Sequence, residues 1–104
     1  YVVLIHPPEI EIGRRIRLEH DSYTLGRDPE SAIPLPRESV SRIHAELSRD
    51  EGGRWRLVDL GSTNGTAVNG RPLQPHKPQR IRSGDVIRLV KDGDHCDLLV
   101  HHAV

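Results

Sequence analysis

Hydrophobic and polar positions alternate with a period of two over much of this chain. Ile16 and Leu18 alternate with charged neighbours, and Ala45 and Leu47 do the same in a second segment. A period of two places alternate side chains on opposite faces of a β-strand, one of which is buried. No segment long enough to form a helix carries the 3.6-residue period of an amphipathic helix. The pattern therefore predicts an all-β fold with little or no helix.

Turn residues divide this pattern into short strands. Glu51-Gly52-Gly53 predicts a hairpin between its flanking strands, and Asn69-Gly70 is the strongest two-residue hairpin signal in the chain. Further turns are predicted around Gly13, at Ser83-Gly84-Asp85 and at Asp92-Gly93-Asp94. Short strands with frequent turns are typical of a β-sandwich or barrel. The predicted strands cover residues 1–5, 16–18, 22–26, 45–48, 55–59, 67–68, 86–90 and 98–100, with Ile81 as a further strand position.

Length and composition restrict the kinds of protein that this can be. A chain of 104 residues has room for one domain. Lys and Arg number 15, as do Asp and Glu, so the formal net charge is zero. This balance argues against a general binder of nucleic acid or of anionic membranes, and no apolar run approaches a membrane span. An anionic ligand would have to be bound by a local group of donors.

The numbers of cysteine and methionine residues bear on the cellular compartment and on whether the chain is part of a longer protein. Cys96 is the one cysteine, which excludes an internal disulfide and suits a reducing compartment, so we expect a cytoplasmic protein. The chain contains no methionine, and we expect residues 1–104 to be a single domain excised from a longer protein.

Polar residues group in the segments between the predicted strands. Taken one at a time, each group fits a structural role, such as a strand end, a turn with positive φ or a buried histidine. Loops on a rigid sheet scaffold are also where binding groups concentrate. The groups are Gly26-Arg27, Ser39 to His44, Asp59 to Thr66, and Asn69-Gly70.

In this order and spacing, Gly26-Arg27, Ser41-x-x-His44, the Asp59–Thr66 loop and Asn69-Gly70 closely resemble the forkhead-associated (FHA) domain, a phosphothreonine-peptide-binding module. The resemblance runs from about Tyr23 to Leu89. It implies a sandwich of two twisted, mostly antiparallel sheets with about eleven strands, which agrees with the all-β pattern.

The resemblance also implies roles for single residues. Arg27 would be the main phosphate ligand, because a planar guanidinium can donate two parallel N–H groups to phosphate oxygens. Ser41 would donate its hydroxyl to the phosphate, and Arg42 would be a second phosphate contact. Thr63 and Asn64 would hold the peptide beside the phosphothreonine. Supporting, non-contacting roles fall to Gly26, His44, Asp59, Gly65, Asn69 and Gly70.

The segment after the loop that carries Arg27 departs from the family pattern. Pro34 and Pro36 each remove a backbone donor, so the strand after the arginine loop should be short or at a sheet edge. Selection of peptide residues around the phosphothreonine should fall to Arg37, Glu38, Ser39, Val40 and the 66–71 stretch, with Arg37 favouring an acidic residue.

Other function classes are less well supported. Ser41, His44 and Asp59 or Asp85 could form a hydrolase triad on paper, but the chain lacks a Gly-x-Ser-x-Gly motif, so we expect no catalysis. The seven histidines lack metal-ligand spacing and His95-Cys96 alone is a weak hint, so we expect no metal and no cofactor. Trp55 occupies a strand position that favours core burial over base stacking.

The sequence therefore predicts a phosphothreonine-dependent interaction module in signal transduction. It would regulate or target an attached domain by binding a threonine-phosphorylated protein, either in trans or on its own chain. The isolated domain is expected to be a monomer that binds neither nucleic acid nor membrane. A phosphate-independent interaction or oligomerisation module of the same fold remains the alternative.

Overall fold

The computed structural model describes residues 2–6, 14–90 and 96–101, which form eleven β-strands. These residues include no helix, and so none that could span a bilayer. The strands are β1 (Val2–His6), β2 (Arg14–Arg17), β3 (Ser22–Gly26), β4 (Ile33–Pro34), β5 (Ala45–Arg49), β6 (Trp55–Asp59), β7 (Thr66–Val68), β8 (Arg71–Pro72), β9 (Gln79–Ile81), β10 (Val86–Leu89) and β11 (Cys96–His101).

The strands form two sheets. One has six strands in the order β2-β1-β11-β10-β7-β8, and the other has five in the order β4-β3-β5-β6-β9. All described pairings are antiparallel except β3 with β4, which is parallel. A single core cluster draws residues from both sheets. The predicted all-β sandwich of mostly antiparallel sheets is confirmed.

The core is built by the alternation that the sequence displays. Leu47 of β5 and Leu57 of β6 are paired and fully buried, while Leu98 of β11 contributes from the other sheet. Trp55 is only 2% exposed, which confirms that it belongs to the core. Aliphatic side chains on two facing sheets exclude water between them, and this burial is the main stabilising contribution to such a fold.

Both predicted hairpins are confirmed. β5 and β6 pair across the turn at residues 51–53, and β7 and β8 pair across Asn69 and Gly70. Asn69 and Gly70 have φ of 51° and 81°, the left-handed values that a two-residue type I′ turn requires. The turns predicted around Gly13 and at 92–94 lie outside the described residues.

Three short strands, β4, β8 and β9, lie at sheet edges. β4 is two residues long and lies at the edge of its sheet, as Pro34 and Pro36 predict. β8 and the start of β9 were not predicted as strands, because their exposed residues carry no alternation. β8 and β9 are edge strands of the two different sheets.

Candidate functional site

Strand register brings three loops to one end of the sandwich. Leu25, near the end of β3, pairs with Ala45 at the start of β5, and Ala45 also pairs with Asp59 at the end of β6. The segments 27–32, 35–44 and 60–65 therefore leave or enter the five-stranded sheet at the same place. These segments carry three of the four polar groups singled out in the sequence.

Three consecutive residues tie these loops together. The Ser39 carbonyl accepts a hydrogen bond from Asn64 Nδ2 at 2.7 Å, and the Val40 carbonyl accepts one from Arg27 Nε at 3.2 Å. Ser41 Oγ accepts one from the backbone N–H of Thr63 at 3.0 Å. Arg27, Ser41, Thr63 and Asn64 are thus brought into one small region by the 39–41 segment.

This arrangement leaves donors available to a ligand. Arg27 is exposed, and its Nε donates to Val40, while its two terminal amino groups form no hydrogen bond or ion pair with the described residues. Because Ser41 Oγ accepts from Thr63, its own O–H hydrogen is free to donate outward. The exposed Thr63 hydroxyl has no partner within the described part of the chain. Such a set of donors suits an anionic group with several acceptor oxygens.

Arg42 lies at the border of this region. Its side chain is 75% exposed, and its Nη2 lies 3.6 Å from Asp28 Oδ2. A solvent-exposed ion pair at this distance contributes little stability. The Arg42 guanidinium can therefore move to a ligand at little cost.

Gly26 allows two loops to approach closely. A Cβ built on Gly26 would lie 2.1 Å from the carbonyl oxygen of Arg42, which is far inside contact distance. Just beyond Gly26, the N–H of Arg27 donates to the Ser41 carbonyl at 3.0 Å and that of Asp28 to the Arg42 carbonyl at 3.2 Å. A side chain at position 26 would push apart the two segments that carry Arg27 and Ser41.

His44 braces the site from beneath. It is completely buried; its Nδ1 accepts from the backbone N–H of Ser41 at 3.1 Å and its Nε2 lies 2.9 Å from the carbonyl of Gly65. A backbone N–H can only donate and a carbonyl can only accept, so the proton of a neutral ring must be on Nε2. Burial lowers the pKa of His44, against smaller opposing effects from Gly65 and Asp59. The neutral ring therefore links Ser41 in the 35–44 segment, called the serine loop below, to the 60–65 loop.

Asp59 organises the 60–65 loop. Its buried carboxylate accepts from the N–H groups of Gly61 and Ser62, both at 2.8 Å, and from the hydroxyls of Ser62 and Thr66, both at 2.6 Å. Burial by itself would raise the pKa of Asp59, but these four hydrogen bonds outweigh it and hold the pKa below its ordinary value. Ser62 was not singled out in the sequence, although its position three residues after an aspartate is typical of such a turn.

Gly65 receives support from a second residue that the sequence did not reveal. Its carbonyl accepts from the N–H of Val90 at 2.9 Å as well as from His44. Val90 has φ of 76°, which is rare for a β-branched residue, and Gly65 itself has φ of 85°. Nothing in the residue types at these positions predicts that contact.

Asn69 and Gly70 lie apart from the other predicted site residues, at the far end of β7. Asn69 Nδ2 donates to Asp85 Oδ1 at 2.9 Å, and its Oδ1 accepts from the N–H of Val86 at 2.9 Å. The turn thus fastens β7 to the start of β10.

The region does not have the geometry of a hydrolase. Ser41 Oγ contacts the Thr63 N–H, whereas His44 contacts the backbone N–H of Ser41. The hydroxyl-to-imidazole hydrogen bond that activates a serine nucleophile is therefore not formed. Asp85 is bound to Asn69 at the far end of β7.

A cleft of ≈ 360 Å³ extends the region beyond Thr63 and Asn64 towards Leu73 and Pro75. It offers room for peptide residues next to the donors. The expectation that Val40 and Thr66 select such residues is wrong for their side chains, because both are buried, as are Ala67 and Val68. Arg37, Glu38 and Arg71 remain at least partly accessible.

Comparison with known proteins identifies one family model and several similar proteins. The profile of the FHA domain matches residues 23–90. The oxoglutarate dehydrogenase inhibitor of Corynebacterium efficiens is 43% identical over 79 residues, which are 76% of this chain and 53% of that protein. The glycogen accumulation regulator GarA of Mycolicibacterium smegmatis is 40% identical over 79 residues, which are 76% of this chain and 48% of that protein. The chain thus spans about half the length of these curated relatives.

Solved structures agree with the sequence relatives. One, from a structural and functional analysis of phosphothreonine-dependent FHA domain interactions, has a TM-score of 0.78 and 34% identity and covers 100% of this chain and 99% of that chain. Another, the FhaA FHA domain complexed with the intracellular domain of Rv3910, has a TM-score of 0.74 and 35% identity and covers 93% of this chain and 97% of that chain.

Proposed function

The chain belongs to the FHA domain family, and on that basis we propose that it binds a threonine-phosphorylated segment of a partner protein, or of its own chain, at the end of the sandwich that carries Arg27, Ser41 and Asn64. Binding would dock the protein that contains this domain to the phosphorylated segment. No chemical step is required.

The observation that carries this proposal is the support given by residues 39–41 to Arg27, Thr63 and Asn64. Phosphothreonine carries a charge of about −1.5 to −2 and three strong acceptor oxygens. The Arg27 guanidinium, anchored through Nε, can offer two N–H groups to those oxygens, and the Ser41 hydroxyl can offer a third donor. Because these groups are held before the ligand arrives, little conformational entropy is lost on binding.

Asn64 is suited to holding the peptide backbone. One N–H of its amide is used by the Ser39 carbonyl, so its remaining N–H and its carbonyl oxygen can donate to and accept from an extended peptide. Thr63 presents its hydroxyl beside Ser41. We propose Arg42 as a further phosphate contact, since it is held only by the loose pair with Asp28.

A regulatory rather than catalytic role agrees with the relatives. The two relatives named above are an inhibitor and a regulator. In this chain, Ser41 lacks an activating base. We propose that the domain functions in the cytoplasm, where Cys96 would stay reduced.

The test is a calorimetric titration of the protein with individual peptides of one set, each prepared in phosphothreonine, phosphoserine and unphosphorylated forms. We expect micromolar binding of the phosphothreonine form, about −8 kcal/mol, and an Arg27→Ala cost of about 2–5 kcal/mol because the phosphate loses its main cation. Arg54→Ala is the matched control, since Arg54 is exposed beside the turn at the opposite end of β5 and β6.

Two results would contradict the proposal. Undiminished phosphopeptide binding by a folded Arg27→Ala protein would remove Arg27 from the site. Equal affinity for phosphorylated and unphosphorylated peptides would instead favour the phosphate-independent interaction module.

A further inference from the structure

A second groove runs along the side of the sandwich where the two sheets end in β8 and β9. It has a volume of ≈ 610 Å³ and lies between residues of these two edge strands. Arg71 of β8, Arg80 of β9 and Arg82 just after β9 line it. None of these residues is among the proposed phosphate contacts, although Arg71 belongs to the 66–71 stretch expected to select neighbouring peptide residues.

The groove carries uncompensated positive charge. Arg71, Arg80 and Arg82 are all exposed, and none of them forms an ion pair within the described residues. Among the residues that the structure describes, Asp85 is the one acidic residue that lines the groove. Its carboxylate already accepts from Asn69 Nδ2 at 2.9 Å and from the backbone N–H of Arg82 at 2.8 Å, so it is committed to the turn.

The cross-strand neighbour of Arg80 is also positively charged. Arg80 stands directly opposite Arg56 of the neighbouring strand β6. Like charges at paired positions of a sheet repel each other and destabilise it slightly. An anion bound near Arg80 would relieve that repulsion, which adds to its attraction for the groove.

The groove shares a lining residue with the cleft beside the proposed phosphopeptide site. Leu73 lines both this groove and the cleft that begins at Thr63 and Asn64. The longest dimension of the molecule is 34 Å, which about ten residues of extended chain would cover. A peptide held at Asn64 can therefore pass over Leu73 and reach the arginines.

We propose that the groove lined by Arg71, Arg80 and Arg82 binds an acidic segment of the same polypeptide that presents the phosphothreonine. This inference rests on the proposed function, because it places both contacts on one partner chain. A polypeptide is favoured over nucleic acid because the chain as a whole has a net charge of zero and the groove joins a site shaped for an extended peptide.

The first experiment compares phosphothreonine peptides that carry either a glutamate tract or a serine tract, separated from the phosphothreonine by up to about ten residues on either side. We expect the glutamate tract to increase affinity about three- to tenfold, in keeping with two or three exposed charge pairs. The double variant Arg80→Gln, Arg82→Gln should lose this gain and keep its affinity for a short phosphopeptide.

The matched control is the double variant Arg17→Gln, Arg54→Gln, which removes the same charge elsewhere. Arg17 lies on β2, at the opposite edge of the six-stranded sheet from β8, and both side chains are exposed. The control should keep the gain from glutamate. Equal affinity for the two tracts, or an equal loss of the gain in both double variants, would overturn the proposed groove.

A second experiment separates this inference from the proposed function. An unphosphorylated glutamate-rich peptide is titrated into isotope-labelled protein, and amide shifts are followed by NMR. We expect changes at Arg71, at Leu73 and at residues 79–82 even if no phosphopeptide binds at Arg27. Absence of such changes would overturn the groove irrespective of the phosphothreonine site. Equal or stronger shifts with a random-sequence oligonucleotide would overturn the assignment to a polypeptide.

Discussion

His44 connects two loops through both of its ring nitrogens. Nδ1 must accept from Ser41 and Nε2 must donate to Gly65, so only the neutral ring with its proton on Nε2 fits. A second proton on Nδ1 would face the N–H of Ser41 at 3.1 Å. The residue that positions the serine loop is thus also one whose charge state matters to the fold.

Stability should fall as the pH is lowered through the range in which histidine titrates. Burial lowers the pKa of His44 below the ordinary histidine value of 6.5, so between these two pKa values the unfolded chain binds more protons than the folded one. The free energy of unfolding is then constant above the unfolded pKa and decreases as the pH falls towards the folded pKa. Urea unfolding between about pH 7.5 and pH 5 measures this decrease.

A pair of variants assigns the effect to His44. His44→Gln should reduce the pH dependence, whereas His20→Gln, at an exposed position, should leave it unchanged. If His44→Gln does not fold, an NMR titration of the His44 ring in the unaltered protein reports its pKa directly. A ring that titrates at or above 6.5 would contradict the expectation.

At the scale of strands and turns, side-chain patterns predict the fold well and its supporting contacts less well. The β5–β6 hairpin follows from alternation at Ala45 and Leu47, and the short β4 follows from Pro34. β8 was missed because it is exposed and two residues long. The support that Val90 gives to Gly65 was missed because its N–H donates to a backbone carbonyl. Residue types do not indicate a contact between two backbone groups.

The same distinction applies to the candidate site. Arg27, Ser41, Thr63 and Asn64 can be named from residue types in a family order. The carbonyls of Ser39 and Val40 that hold them cannot, since every residue has a carbonyl group. Sequence therefore predicts which groups would meet a ligand better than it predicts what keeps those groups in place.

The Asn69–Gly70 turn should affect stability without affecting the proposed phosphopeptide site. Gly70→Ala would force a side chain into φ of 81°, and Asn69→Ala would remove the bonds to Asp85 and Val86. We expect a loss of about 1–3 kcal/mol in the free energy of unfolding for each variant. Affinity for a short phosphopeptide should not change, because the turn lies at the far end of β7.

Urea unfolding and calorimetry of the same variants make this test. Gly52→Ala is a suitable control, since its added Cβ would meet only Asp50 Oδ1 at 3.4 Å. A large loss of affinity in the turn variants, at a temperature where they are fully folded, would show that the turn and the binding loops are coupled.

At the scale of the whole molecule, one core joins both sheets. Leu57 and Trp55 of the five-stranded sheet belong to the same buried cluster as Leu98 and Val100 of the six-stranded sheet. Neither sheet can expose its inner face without exposing that of the other. The burial of apolar surface between them therefore couples the two sheets energetically.

This coupling predicts a single cooperative unfolding transition. Trp55 is the one tryptophan of the chain and lies in β6, with its ring centroid 6.3 Å from that of Tyr23, so its fluorescence reports on the five-stranded sheet. Far-UV circular dichroism reports on all strands. We expect the two probes to give the same midpoint in urea. A fluorescence change that precedes the loss of circular dichroism would contradict a shared core.

The contacts made by Ser39, Val40 and Ser41 set a rule for anyone who wishes to redesign this domain. Ser39 and Ser41 hold the 60–65 segment and Val40, between them, holds Arg27, so inserting or deleting one residue between positions 39 and 41 would shift these partners relative to one another. New ligand preferences should accordingly be sought by exchanging side chains at accessible neighbours such as Glu38 and Arg42, with the spacing of this segment left untouched.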